Sequence, residues 1–91
     1  MKISPHPQFI KAFRKRIAPK PKLVSKVLQR IKLFQQNIND PILRSHKLTG
    51  AKKELFSFSI SGDIRIIYRV EVIDGEETVV FLDIGSHNQV Y

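Results

Sequence analysis

The stretch that decides the fold runs from Phe56-Ser57-Phe58-Ser59-Ile60 through the turn Ser61-Gly62-Asp63 into Ile64-Arg65-Ile66-Ile67-Tyr68-Arg69-Val70-Glu71-Val72. In both runs apolar residues recur at every second position, which is the pattern of a half-buried strand. A second turn at Asp74-Gly75-Glu76 precedes Val79-Val80-Phe81-Leu82, which is apolar on both faces, as a strand covered on both sides would be. The pattern therefore predicts three consecutive strands between Glu54 and Tyr91, with the last of them central in the sheet.

The alternation in the second of these strands also predicts which side chains share a face. Successive side chains of a strand point to opposite sides. The set that we expect to pack against helices is Ile64, Ile66, Tyr68, Val70 and Val72. The set that must then point the other way is Arg65, Ile67, Arg69 and Glu71. We call the side of the sheet that carries this second set the open face, and the sequence predicts that it is basic.

Length and composition restrict the class of protein. A chain of 91 residues makes one domain, residues 1–91, and its 42% hydrophobic content is ordinary for a folded domain. No apolar run is long enough for a membrane span, and the first residues lack the apolar stretch of a signal peptide. Without cysteine there are no disulfides and no thiolate metal site, so a cytoplasmic location is expected.

Charge is distributed unevenly along the chain. The formal net charge is +8, with a pI near 10.1. The first 39 residues contain ten Lys or Arg and no Asp or Glu. This asymmetry suits a nucleic-acid backbone or an acidic protein partner, while the plainer interpretation is a solvated basic face.

The N-terminal half predicts a short strand and two helices. Met1 to Ser4 is interpreted as the strand, and Ser4-Pro5-His6-Pro7 as a helix start. Proline residues in Ala18-Pro19-Lys20-Pro21 end the first helix, and a second runs from about Lys22 to Asn37. The apolar residues expected to face the sheet are Phe9, Ile10, Phe13 and Ile17 in the first helix and Leu23, Val24, Val27, Leu28, Ile31 and Phe34 in the second.

The segment from Ile42 to Gly50 has no clear period and is interpreted as a loop with Leu48 as its buried anchor. The predicted fold class is α+β, in the order β-α-α-β-β-β. A helical hairpin packs on one face of a small, mainly antiparallel, twisted sheet.

Most catalytic templates are missing from the sequence, which leaves acid/base chemistry by side chains. Cleavage of RNA in this way needs a base for the 2′-hydroxyl proton, a cation for the phosphate charge and an acid for the leaving 5′-oxygen. His46, Arg65, His87 and Tyr91 supply these groups and could converge on the open face. The plainer alternatives are that the histidines are ordinary surface residues and that Arg65 pairs with Glu71.

Three stretches carry a resemblance: Leu48-Thr49-Gly50, then Gly62-Asp63-Ile64-Arg65-Ile66-Ile67-Tyr68-Arg69-Val70, then Ile84-Gly85-Ser86-His87-Asn88-Gln89-Val90-Tyr91. They resemble the motif series of the RelE/ParE toxin superfamily of bacterial type II toxin-antitoxin systems. The ending is most similar to the YafQ-like branch of ribosome-dependent messenger RNA endonucleases. Ser57 and Ser59 stand in the strand where that branch has a further histidine.

The resemblance implies a site composed of His46, Asp63, Arg65, His87 and Tyr91. In the YafQ-like branch the C-terminal histidine is catalytic, which corresponds to His87, and Arg65 resembles the phosphate-binding arginine of the RelE and YoeB branches. His46 stands where other members have a glutamate base. The histidines argue against the ParE-like branch, whose members inhibit DNA gyrase.

The expected function is that of a toxin that cleaves messenger RNA on the ribosome, without metal or other cofactor, and that is inhibited by a cognate antitoxin protein. A ParE-like gyrase inhibitor and a non-enzymatic nucleic-acid-binding module are the alternatives. Neither a membrane nor a small molecule is expected as a partner. The candidates for contact with RNA are Arg14, Lys15, Arg16, Lys20, Lys22, Lys26, Arg30 and Arg69.

Overall fold

Helices precede the main sheet along the part of the chain that this computed structural model describes, residues 2–50 and 54–91. The strands are β1 (Lys2–Pro5), β2 (His46–Lys47), β3 (Phe56–Ser61), β4 (Ile64–Ile73) and β5 (Glu76–Ser86). The helices are α1 (Pro7–Arg16), α2 (Pro21–Gln36) and the single turn α3 (His87–Val90), and a 3₁₀ turn spans Pro41–Leu43. The predicted α+β class is confirmed.

The five strands form one sheet in the order β1-β5-β4-β3-β2. β1 runs parallel to β5, with Lys2 opposite Thr78, and every other pair of neighbours is antiparallel. β5 is therefore an interior strand, and Val79, Val80 and Phe81 are buried as the apolar run predicted, whereas Leu82 of that run is only half-buried. The prediction that this last strand is the central one was wrong, however. β4 is the middle strand of the five, because β2 pairs with β3 at the far edge.

Proline and a histidine cap set the limits of the helices. The His6 side chain accepts a hydrogen bond from the Gln8 amide at 3.0 Å, and Pro7 occupies the first turn of α1. α2 starts at Pro21, where proline needs no hydrogen-bond donor, and it ends at Gln36. Both ends of α2 lie within one residue of the predicted ones.

The core lies between the helices and the sheet and centres on aromatic rings. Phe34 of α2 stacks on Phe58 of β3, with centroids 4.4 Å apart. Tyr68 and Phe81 meet the same Phe34 ring edge-on, at 5.0 and 6.0 Å. Offset and edge-on aromatic pairs of this kind add to the stability gained from burial. The core therefore fixes β3, β4 and β5 relative to α2.

Four predictions of burial were wrong. Val70 and Val72 are 43% and 73% exposed, because the hairpin of β4 and β5 extends beyond the helices that cover its other end. Leu28 is 60% exposed and Ile10 is 38% exposed, because each lies at the margin of an apolar stripe wider than the contact with the sheet. Core-facing predictions held for Phe9, Ile17, Val27, Phe34, Ile66 and Tyr68.

The predicted loop from Ile42 to Gly50 contains two ordered elements. Its residues His46 and Lys47 form β2, which pairs with Ser57 and Phe56 of β3. The fully buried residue in this region is Leu43, whereas Leu48 is only half-buried. The 3₁₀ turn, capped by the Asp40 side chain, directs Leu43 into the core.

The opening strand begins at Lys2 in the structure, and Met1 of the predicted strand lies outside the described residues. Between Ile67 and Tyr68 the pairing of β4 with β5 shifts by one residue. Ile67 lies opposite Asp83 while Tyr68 lies opposite Phe81, so Leu82 is an extra residue in β5. In the ranges 2–50 and 54–91, no helix combines the length and apolar character that crossing a membrane requires.

Candidate functional site

Ser57 lies at the centre of the candidate site. It is fully buried in β3, with His46 of β2 and Ile67 of β4 as its neighbours across the sheet. The Tyr91 hydroxyl donates a hydrogen bond to the Ser57 hydroxyl oxygen at 2.8 Å. Residues opposite each other in antiparallel strands point to the same face, so this bond brings the end of the chain next to His46.

Helix α3 brings His87 to the same place. Ser86 and Gln89 form a reciprocal cap, in which the Gln89 side chain accepts a hydrogen bond from the Ser86 amide at 2.8 Å. This single turn places His87 and Tyr91 four residues apart on one side, with ring centroids 4.4 Å apart and ring planes at 75°. The imidazole of His87 is exposed, so it is accessible to a ligand on the open face.

The close approach of α3 to the sheet depends on Gly85. A Cβ atom at that position would lie 2.7 Å from Gln89 Oε1 and 2.9 Å from Arg16 Nη1. Arg16 itself donates to Asp83 Oδ1 at 3.2 Å and to the Ile84 carbonyl at 3.0 Å. The ends of α1 and β5 therefore pack against α3, and the contacts are made by Arg16, Gly85 and Gln89.

His46 forms the other wall of the site. Its side chain and Tyr91 line one groove together with Lys47, Leu48, Thr49 and Gly50. His46 Nδ1 lies 3.1 Å from the Arg44 carbonyl oxygen, which can only accept a hydrogen bond. The neutral ring therefore carries its proton on Nδ1, and Nε2 is left with a lone pair that can take a proton.

Arg65 is the cation of the open face. Its neighbours across the sheet are Ser59 of β3 and Gly85 of β5. Ser59 lies two positions along β3 from Ser57, which corresponds to a distance of about 7 Å. The Arg65 Nε atom is buried and has no hydrogen-bond partner among residues 2–50 and 54–91. An unpaired buried donor of this kind costs about 1–3 kcal/mol.

The alternative pairing of Arg65 with Glu71 does not occur. Glu71 Oε1 instead accepts a hydrogen bond from Arg69 Nε at 2.7 Å. Arg69, a predicted RNA contact, is therefore already engaged by a carboxylate, and so is Arg16 through Asp83.

The remaining predicted residues lie farther from Ser57. Asp63 is exposed in the turn between β3 and β4, and the structure gives its side chain no hydrogen bond within the described chain. Arg14 and Lys15 are exposed on the last turn of α1, and Lys20 and Lys22 are exposed at the start of α2. The structure thus brings His46, Arg65, His87 and Tyr91 to the open face and leaves Asp63 at the turn.

Tyr68, assigned to the core from the sequence, stays in the core and is 3% exposed. Burial raises the pKa of its hydroxyl, and the Ser45 side chain partly offsets this rise. Its ring stacks on Phe56, with centroids 5.4 Å apart. Tyr68 therefore supports the sheet and is not placed to exchange protons with a ligand.

Sequence reasoning missed Ser57 and Gln89 as contributors to the site. The spacing of Ser86 and Gln89 is that of a capping box, so the sequence did contain a signal for this helix start. Ser57 had no comparable signal, because its role follows from a contact with the far end of the chain. Over residues 2–50 and 54–91, no group of three or more His, Asp or Glu side chains is arranged to hold a metal ion.

Comparison with known proteins identifies the fold. No protein-family model matches this sequence, and no curated protein matches it. Among solved structures, the chain is similar to YafQ from E. coli, with 19% identity and a TM-score of 0.74 over 99% of this chain and 97% of that one. It is also similar to a YoeB/ParE toxin from Agrobacterium tumefaciens, with 17% identity and a TM-score of 0.74 over 96% and 99%.

A copper-bound mutant toxin from Helicobacter pylori is similar as well, with 24% identity and a TM-score of 0.71 over 100% of this chain and 99% of that one. The chain therefore has the same fold as these toxin structures, which is the α+β fold that the sequence motifs predicted.

Proposed function

We propose that this chain is the toxin of a type II toxin-antitoxin system and that it cleaves messenger RNA bound to the ribosome by acid/base catalysis. The proposal rests first on the fold. The observation that carries it to a reaction is the Tyr91–Ser57 hydrogen bond, which ties the turn that carries His87 to the residue opposite His46, on the face of the sheet that also carries Arg65. These are the groups that RNA cleavage through its own 2′-hydroxyl requires.

In the proposed reaction His46 is the base. Its Nε2 lone pair takes the proton of the 2′-hydroxyl, since Nδ1 is committed to the Arg44 carbonyl. The 2′-oxygen then attacks the adjacent phosphorus, and the bond from phosphorus to the 5′-oxygen breaks. His87, in its protonated form, gives a proton to the departing 5′-oxygen, so the products are a 2′,3′-cyclic phosphate and a 5′-hydroxyl end.

Arg65 supports this reaction by stabilising charge. During the attack the phosphate passes through a state in which more negative charge lies on its non-bridging oxygens. A guanidinium donates two parallel hydrogen bonds to such oxygens and keeps its charge at every accessible pH. Its guanidinium forms no ion pair with the described residues that such a contact would have to break.

Tyr91 positions the histidines in this proposal. Its hydroxyl is fixed by Ser57, and its ring contacts the edge of His87. The basic residues Arg14, Lys15, Lys20 and Lys22 are exposed on α1 and α2 and are the proposed contacts with ribosomal RNA. Asp63 is proposed to contribute at the rim of the site, at the turn before β4.

An antitoxin is the second proposed partner. An active endonuclease of this kind would stop growth unless it were inhibited, and the cell needs a protein that covers the open face. The strongly basic chain favours a partner with acidic segments, since the net charge is +8.

The test is expression of the chain in bacteria, followed by mapping of RNA ends. We expect growth arrest, recovery when the antitoxin is expressed with it, and 5′-hydroxyl ends in messenger RNA that depend on translation. A double variant, His46→Ala with His87→Ala, should restore growth and remove these ends. Arrest with intact messenger RNA and inhibited DNA gyrase would instead support the ParE-like function, and RNA binding without arrest would support a binding module.

A further inference from the structure

A second basic pocket lies beside the open face, along the edge of β3 where β2 has ended. Its volume is about 520 Å³. We call it the Arg44 pocket, and it is lined by Lys26, Arg30, Pro41, Ile42, Arg44, Ser59, Ile60, Ser61 and Gly62. Three cationic side chains face this space, and the lining contains no carboxylate.

The three cations are not used in ion pairs. In the described part of the chain, Lys26, Arg30 and Arg44 form no salt bridge with Asp or Glu. Arg30 donates to the Ile42 carbonyl at 3.2 Å through one nitrogen, which anchors its guanidinium at the pocket wall. Three like charges around one concave surface repel each other, so an anion in the pocket would be stabilising.

Arg44 is held in an unusual backbone conformation. Its φ of 49° and ψ of 40° lie in the left-handed region, which residues with a side chain rarely adopt. Glycine would occupy this position without strain. An arginine at a position suited to glycine motivates a functional hypothesis for its side chain.

The chemistry of the lining fits a nucleotide of an RNA strand. Arginine and lysine bind phosphate oxygens, and the serine hydroxyls can donate to the same oxygens. Pro41 and Ile42 add an apolar wall, of which Ile42 is 56% exposed, and a base or ribose can pack against it. An acidic peptide would use the same cations, and the position of Ser59 opposite Arg65 is what favours the RNA strand.

The pocket adjoins the open face at Ser59. Ser59 lines the pocket and is the neighbour of Arg65 across the sheet. A strand whose scissile phosphate contacts Arg65 could therefore pass over Ser59 and place a flanking phosphate near Arg44.

We infer that the Arg44 pocket binds a phosphodiester group of the RNA strand next to the one that is cleaved. The inference rests on the proposed function for the identity of the strand. It assigns Arg44, which the sequence did not single out, as a binding residue, and it gives Lys26 and Arg30 a place in a substrate subsite.

The experiment measures binding of a short 2′-O-methyl RNA oligonucleotide, which has no free 2′-hydroxyl and cannot be cleaved. Affinity is measured over a series of salt concentrations for the wild type, Arg44→Gln and Arg44→Gly. The control is Lys32→Gln, which removes the same charge from an exposed position of α2 outside the pocket. Melting temperatures confirm that each variant is folded.

We expect Arg44→Gln and Arg44→Gly to bind roughly tenfold more weakly at low salt, because each loses a hydrogen bond to a charged group. The slope of log affinity against log salt should fall by about 0.7, the value for one phosphate contact on a single strand. Lys32→Gln should keep the wild-type slope. Equal losses of RNA affinity in Lys32→Gln and Arg44→Gln would overturn the inference, because the Arg44 charge would then act at long range and not through contact in the pocket.

Three further outcomes would also overturn the inference. One is that the wild type fails to bind the oligonucleotide, and another is that the Arg44→Gly variant binds it normally. The third is that, in a parallel measurement with a polyglutamate peptide, the Arg44→Gln variant loses affinity for the peptide but not for RNA. Failure of the proposed function is distinguishable, because it is decided by the growth and cleavage measurements. If the wild type cleaves RNA normally and Arg44→Gln binds RNA normally, the inference about the Arg44 pocket is wrong while the proposed function stands.

Discussion

Replacement of His87 by alanine is the most informative single change in this chain. The structure predicts that it separates catalysis from stability. If His87 gives the proton to the leaving 5′-oxygen, its removal should lower the rate of ribosome-dependent cleavage by roughly 10² to 10⁴, the usual contribution of a general acid. The fold should hardly change, because the imidazole is exposed on the first residue of α3.

The expected change in stability follows from the contacts of this side chain. The structure gives His87 one ring contact, with Tyr91 at 4.4 Å, and no side-chain hydrogen bond with the described residues. A buried aromatic pair is worth about 0.5–1.5 kcal/mol, and an exposed pair is worth the lower end of that range. Alanine also favours the helix slightly. We expect a loss of about 0.5 kcal/mol, which lowers the melting temperature by roughly 2–4 °C.

His6→Ala is the matched control. It removes the same side chain from a position where we expect stability to fall and cleavage to be retained. His6 caps α1 by accepting a hydrogen bond from the Gln8 amide at 3.0 Å. Loss of such a cap costs about 0.5–2 kcal/mol, while cleavage should stay at the wild-type level. Melting temperature and single-turnover cleavage are measured on the same preparations. Undiminished cleavage by a folded His87→Ala variant would refute the assignment of His87 as the acid.

Three further predictions test the surroundings of the site. Arg65→Lys keeps the charge but loses the planar fork, so single-turnover cleavage should fall by roughly 10² while ribosome binding is retained, and equal rates would make Arg65 structural. Gly85→Ala introduces a Cβ atom 2.7 Å from Gln89 Oε1 and 2.9 Å from Arg16 Nη1, so these two side chains must move, which disturbs the cap of α3; we expect a loss of stability of about 1 kcal/mol and slower cleavage. A wild-type rate in that variant would show that α3 need not be held closely. Burial raises the pKa of Tyr68, so its contribution to stability is fully present below its ordinary pKa of about 10 and is lost as pH rises through the higher folded value. Between about pH 9 and 11, the melting temperature of Tyr68→Phe should therefore decline less than that of the wild type. An equal decline in both would mean that other groups cause the loss of stability at high pH.

The predictable parts of the fold were those with a repeating pattern or a proline. Alternation in β3 and β4 identified both strands, and Pro21 marked the start of α2, because these signals are local. β2 could not be predicted, since two residues carry no period and become a strand only by pairing with β3. The exposure of Val72 depends on how far the helices extend over the sheet, which no local pattern records.

The candidate site was predictable to a similar degree. Residue types suited to RNA cleavage, together with the family motifs, selected His46, Arg65, His87 and Tyr91 before their positions were known. The contact that brings them together was not predictable, because Tyr91 and Ser57 are distant in sequence.

The parallel pairing of β1 with β5 has a consequence for the order of folding. Lys2 lies opposite Thr78, so the first described strand cannot pair until the last strand is available. The same holds for α1, whose Phe9 packs on Phe81 of β5. Contacts between distant segments slow folding, because a long loop must close before they form. We therefore expect a nascent chain to expose the apolar side of α1 until β5 emerges, and under the proposed function the chain would be inactive during that interval.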